Sequence, residues 1–147
     1  MILLVHMLLG AAIGSAVKNI PLAIALAFLS HYFLDLFPHI EYDIENITKK
    51  QWRKALPNFL RVFLDFCLGA LLIFLFSKNY SSIYVCAFIA VLPDGLYFLG
   101  KILPIKIFET HNRFCEEIQI FNKAKIPIFW RFASQIIAVI VSILLLV

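Results

Sequence analysis

Two histidines and an aspartate recur at steps of four in Ser30-His31-Tyr32-Phe33-Leu34-Asp35-Leu36-Phe37-Pro38-His39. Four residues carry an α-helix just past one turn, so His31, Asp35 and His39 climb a single face. Imidazole nitrogens and carboxylate oxygens together suit Zn²⁺, Mn²⁺ or Fe²⁺, and three such ligands leave a fourth position open for water. A cation held that way makes its bound water more acidic and polarises a carbonyl or phosphoryl oxygen. The same stretch closes an apolar run long enough to cross a bilayer. Ionisable groups at membrane depth are costly, so they tend to face a protein interior and mark function. The expectation is a metal site at the edge of a membrane.

Three further residues extend the set to six candidate ligands: His6, His31, Asp35, His39, Asp94 and His111. Six are enough for two metals, the arrangement that clamps the attacking and leaving oxygens in phosphoester hydrolysis. Asp94 comes from a different segment than His31 and Asp35. It is expected to be catalytic, as a bridging ligand or as the base that orients the attacking water. Arg61 or Arg131 would hold a phosphate oxygen. Structural roles compete at several positions. His6 also reads as a histidine near a helix end, and Arg61 and Asp65, four apart, also read as a pair that satisfies itself. Glu41 and Asp43 read as solvated interfacial charges or as groups reaching the site opened by His39. Cys115 reads as a packed thiol or as a soft ligand four residues after His111.

The elements that must position these groups follow from composition. Of the 147 residues, 63% are hydrophobic, 15 are Phe, and mean hydropathy is +0.93. Soluble domains carry roughly 45–50% apolar residues, so a single integral membrane domain over residues 1–147 is expected. The fold class is all-α: a polytopic bundle of about five transmembrane helices near 2–17, 20–39, 58–76, 81–101 and 127–147, plus an amphipathic interfacial helix within 102–126. Gly10 and Gly14 form a small-xxx-small pattern that lets helix backbones approach closely, and His6 shares their face. Pro38 should end or kink the second helix around Phe37. Pro93-Asp94-Gly95 spells a turn, so the fourth helix is expected to break at depth. The three cysteines give no disulfide framework.

With five helices, the polar segments 40–57 and 102–126 fall on one side. That side takes eleven of the thirteen Lys and Arg residues, leaving Lys18 and Lys78 for the other. This asymmetry argues for topology rather than for nucleic acid, and no nucleic-acid partner is expected. It places the N-terminus and both polar segments in the cytoplasm. At about 1.5 Å per residue, all four histidines and all nine carboxylates then lie on or within roughly 12 Å of the cytoplasmic boundary. Stray residues would not collect at one depth.

His6, the run His31-x3-Asp35-x2-Pro38-His39, Leu92-Pro93-Asp94 and the later His111 resemble the bacterial inner-membrane metal-dependent hydrolase family. That family is grouped with zinc-dependent phospholipases C and single-strand nucleases, whose helical His-x3-Asp is followed shortly by Pro and His. The resemblance implies bound zinc and activation of water at a phosphodiester. Gly95-Leu96-Tyr97 stands where that family has a further Asp-His, and only one late histidine, His111, is present. The function expected is a membrane-embedded metal-dependent hydrolase acting at the cytoplasmic face of the inner membrane on a lipid or other amphiphilic phosphoester. A proton- or ion-coupled transporter built on the same His/Asp chain, or a non-catalytic membrane adaptor, would use these residues differently.

Overall fold

The computed structural model describes residues 1–42, 49, 51–103, 105–119 and 126–147, without the Trp52 side chain. Among these, the chain is helical throughout: α1 (Leu3–Ala16), α2 (Ile20–Asp35), α3 (Trp52–Phe76), α4 (Ser81–Ile102), α5 (Lys106–Ile118) and α6 (Ile128–Leu146). Asp43, considered above as a group reaching the site, and the anchoring role of the Trp52 side chain lie outside the described residues.

Helix α1 is apolar on every side, and a helix of that kind belongs in an interior. Ten of its fourteen residues are buried, and α2, α3, α4 and α6 all pack against it. The small-xxx-small pattern acts as expected. A Cβ on Gly10 would lie 2.6 Å from both the Cys86 carbonyl oxygen and the Ala90 Cβ, and one on Gly14 would lie 2.6 Å from the Ser82 carbonyl oxygen. Only glycine lets α1 and α4 come this close. Ser82 Oγ seals the crossing by donating to the Gly14 carbonyl at 3.1 Å.

Three helices, α3, α4 and α6, are long and apolar enough to cross a membrane, against the five expected. Helices α1 and α2 hold 14 and 16 residues, or about 21 and 24 Å, short of a hydrocarbon core of about 30 Å. Two local features set those lengths. Asn19 caps α2 by accepting from the Leu22 N–H at 3.0 Å, which fixes a break after α1. Pro38 stops α2 at Asp35, close to where it was expected to act. Elsewhere two prolines are absorbed. Pro57 lies inside α3, which begins at Trp52 rather than after Pro57. Pro93 lies inside a continuous α4, so the expected break at Pro93-Asp94-Gly95 does not occur.

The N-terminus of α1 has no capping side chain of its own. Its first amides are satisfied from other parts of the chain. Asp65 Oδ2 on α3 accepts from the Leu4 N–H at 2.9 Å, and the Tyr42 hydroxyl accepts from the Leu3 N–H at 3.3 Å while donating to Asp65. Asp65 therefore does not spend itself on Arg61, as the pairing considered above required. Burial and the adjacent Asp65 push the Tyr42 phenol well above its usual range, so it stays a donor. Asp65→Ala should cost about 1 kcal/mol, the usual value of a lost helix cap. Thermal unfolding in detergent would show it, and an unchanged midpoint would remove the cap from the account.

Candidate metal centre

Alternating helix directions bring the start of α1, the ends of α2 and α4, and the starts of α3 and α6 to one end of the bundle. Segment 38–42 crosses that end. Helix α6 fastens it, with Ser134 Oγ donating to the Pro38 carbonyl and Gln135 Nε2 donating to the Ile40 carbonyl at 2.9 Å. His39 is thereby turned back toward the bundle although it lies beyond the helix that carries Asp35.

Asp35 is the hub. The Met1 nitrogen donates to its Oδ1 at 2.8 Å. His6 Nε2 lies 3.4 Å from Oδ1, His31 Nε2 3.4 Å from Oδ2, and His39 Nε2 3.7 Å from Oδ1. The His6 and His31 rings stack with centroids 4.1 Å apart. Asp94, on α4, places Oδ1 3.8 Å from His31 Nε2, with a third of its side chain exposed. His6, His31 and Asp94 each offer a ligand atom, and these atoms lie within 4.8 Å of one another.

Hydrogen bonding fixes which nitrogens face inward. His31 Nδ1 lies 2.9 Å from the Ala90 carbonyl, and His39 Nδ1 lies 2.7 Å from the Phe37 carbonyl. A carbonyl only accepts, so each Nδ1 carries a hydrogen, and the Nε2 of a neutral ring presents a lone pair. The His31 lone pair then faces carboxylate oxygens of Asp35 and Asp94, while His39 Nε2 is hydrogen-bonded to Glu41 at 3.0 Å and lies 3.7 Å from Asp35. Acceptor facing acceptor is unfavourable unless a proton or a cation lies between. His6 sharpens the point, being fully buried with neither ring nitrogen hydrogen-bonded. A metal-bound histidine usually donates its other ring N–H to a carbonyl or carboxylate, which fixes the ring's orientation. The donor set fits a divalent cation held by His6, His31 and Asp94, with one position open.

Pro93 helps to build this arrangement. It offers no N–H to the Ile89 carbonyl, and the next carbonyl in that turn, Ala90's, takes the His31 Nδ1–H. Gly95 has no heavy atom within 4 Å of where its Cβ would stand, which leaves space beside Asp94.

The centre forms one wall of a cavity of about 730 Å³, bounded by α1 to α5 and the Glu41–Tyr42 segment. Of the six candidate ligands, the structure draws His6, His31, Asp35, His39 and Asp94 together. His111 is held apart. Its Nε2 lies 3.1 Å from the Tyr32 hydroxyl and 3.6 Å from Cys115 Sγ, and Tyr32 meets His31 edge-on. Arg61 is on the exposed side of α3, Arg131 is half-buried at the start of α6, and neither lines the cavity. The phosphate-holding role expected of them is not supported by their placement, because α3 turns Asn58, Phe59, Val62 and Phe66 inward instead. Sequence reasoning did not find Asn58, Tyr42 or the Ala90 carbonyl. Asn58, following Pro57 at the head of an apolar run, is the one with a visible signal.

Cys115 lines the cavity, and burial pushes its thiol up to about 12. Burial likewise lowers His111. The thiolate is the reactive form, so a raised value means slow modification. At pH 8, maleimide should label Cys115 at least about a hundredfold more slowly in the folded protein than after unfolding in dodecyl sulfate. Equal rates would show that the thiol is neither buried nor shielded.

No family model, curated protein or solved structure matches the chain.

Proposed function

We propose that the protein is a membrane-embedded, metal-dependent hydrolase acting on a phosphoester of a lipid or similar amphiphile. The observation that carries this reading is the donor geometry: His6, His31 and Asp94 converge beside Asp35, with imidazole lone pairs turned toward carboxylates. The largely apolar cavity beside those groups supports an amphiphilic substrate. The resemblance of His31, Asp35, Pro38 and His39 to the inner-membrane hydrolase motif points the same way. Zinc is the expected ion. The proposed setting is the bacterial inner membrane, with the N-terminus and the site on the cytoplasmic side, as the lysine and arginine asymmetry favours. Buried α1 and short α2 would complete a five-helix bundle around which α3, α4 and α6 meet the lipid.

A bound dication would supply Lewis acidity and a more acidic water. The chain does the rest. The Ala90 carbonyl holds the His31 ring in one tautomer, Asp35 faces the Nε2 atoms of His6 and His31 and adds negative charge beside them, and Asp94, the ligand nearest the open cavity, orients the attacking water and takes its proton.

Two measurements test the reading. Protein purified without a histidine tag should carry stoichiometric metal, and a phosphodiester reporter should be hydrolysed. Asp94→Asn keeps the shape and removes the charge, so hydrolysis should fall at least about a hundredfold, the low end for an acid–base group. Metal-free protein, or activity that survives this substitution, would sink respectively the metal and the role of Asp94.

A further inference from the structure

Helices α3 and α4 are joined by only four residues, 77–80, and both pack along α1, yet they scarcely touch each other. The space between them is the side of the cavity. Phe59 and Phe66 wall it from α3, and Phe88 and Phe98 wall it from α4. Three of these walls are open to the outside: Phe59 is 36%, Phe66 43% and Phe88 64% exposed. Among the described residues, the ring contact across the gap is Phe59 against the edge of Phe98, centroids 5.9 Å apart. Phe98 lies four residues after Asp94, and Phe88 lies six before it, about 9 Å further along the helix. The slot is therefore bridged on one side of Asp94 and open on the other.

Both bounding helices are long and apolar enough to cross a membrane, so the open stretch would meet lipid chains rather than water. A slot with exposed aromatic walls and a cluster of ionisable groups at its inner end matches a molecule with an apolar tail and a polar linkage. At about 30 Å³ per small group, the share of one water in the liquid, 730 Å³ holds roughly two dozen non-hydrogen atoms. That is room for one long chain and its linkage.

We infer that the slot between α3 and α4 is a lateral entry for one alkyl chain of a membrane lipid, seating the lipid's polar linkage against His31 and Asp94. What happens at the linkage rests on the hydrolase reading; the seat of the chain does not. A second chain, where the lipid has one, stays in the bilayer. Phe59 and Phe98 close over the linkage and set where the tail ends.

The test uses the full chain in lipid nanodiscs containing a phosphatidylglycerol analogue with a diazirine midway along one acyl chain. After irradiation, adducts should be enriched about tenfold, the ratio for a seat preferred by roughly 1.4 kcal/mol, on peptides containing Phe66 and Phe88. The reference is the lipid-facing Ile137 peptide of α6. Phe88→Trp or Phe66→Trp, which fill the slot, should abolish the enrichment. Phe63→Trp, on the outer face of α3, should leave it. Even labelling along α3, α4 and α6, or enrichment unaffected by both slot-filling variants, overturns the inference. Enrichment without any lipid product would leave the slot standing and remove the hydrolase. Product with even labelling would do the reverse.

Discussion

Asp35→Ala is expected to lose most of the bound metal and several kcal/mol of stability together. Four nitrogens converge on this carboxylate, from Met1, His6, His31 and His39, between 2.8 and 3.7 Å. Without it, the Met1 nitrogen and His6 lose the carboxylate they face, and only Asp94 and Glu41, at the edges of the cluster, remain near His31 and His39. Removing one partner from a buried charged group costs about 3–5 kcal/mol, because the remaining groups stay desolvated. Asp35→Asn separates the two effects. It keeps the volume and one acceptor, so the bundle should recover much of its stability while metal stays low. Elemental analysis alongside thermal unfolding reads both. Wild-type metal content in both variants would show that Asp35 is a structural polar residue and not part of the centre.

Gly10→Val should be the most damaging apolar substitution in the chain. The added Cβ would meet Cys86 and Ala90 at 2.6 Å, and one of those contacts is backbone that no side-chain rotation relieves. Overpacking in a core costs typically about 1–3 kcal/mol, and here the displaced partner is α4. That helix carries the Ala90 carbonyl that orients His31 as well as Asp94 itself, so the centre should be lost with the packing. The variant should still enter the membrane but become sensitive to limited proteolysis and hold no metal. Gly95→Ala is the contrast. Nothing lies within 4 Å of that added methyl, and alanine is favoured over glycine in a helix by about 0.5–1 kcal/mol. A protease-resistant, metal-loaded Gly10→Val protein would contradict the close crossing of α1 and α4.

The sequence made the helical class and the gathering of polar groups legible, because both follow from periodicity and depth along single helices. Steps of four put His31 and Asp35 on one face, and the glycine pair announced a close crossing. It was silent where the outcome depended on another helix. Helical spacing shows that Arg61 and Asp65 are neighbours, but not that Asp65 is needed more by the bare amides of α1. A proline before an aspartate and a glycine reads as a turn, yet α4 runs unbroken through Pro93. Span counting failed for a related reason. The apolar run over 2–39 reads as two full spans, but the Asn19 cap and Pro38 confine α1 and α2 to 14 and 16 residues.

The borrowed cap on α1 has a consequence for biogenesis. The aspartate that satisfies the leading amides of α1 lies some sixty residues further along the chain, on α3, so α1 is synthesised before its cap exists. The helix that its glycines are shaped to meet, α4, is later still. At 14 and 16 residues, the first two helices are also shorter than a hydrocarbon core of about 30 Å. A chain truncated before Asp65 is therefore expected to leave the leading amides of α1 without their partner.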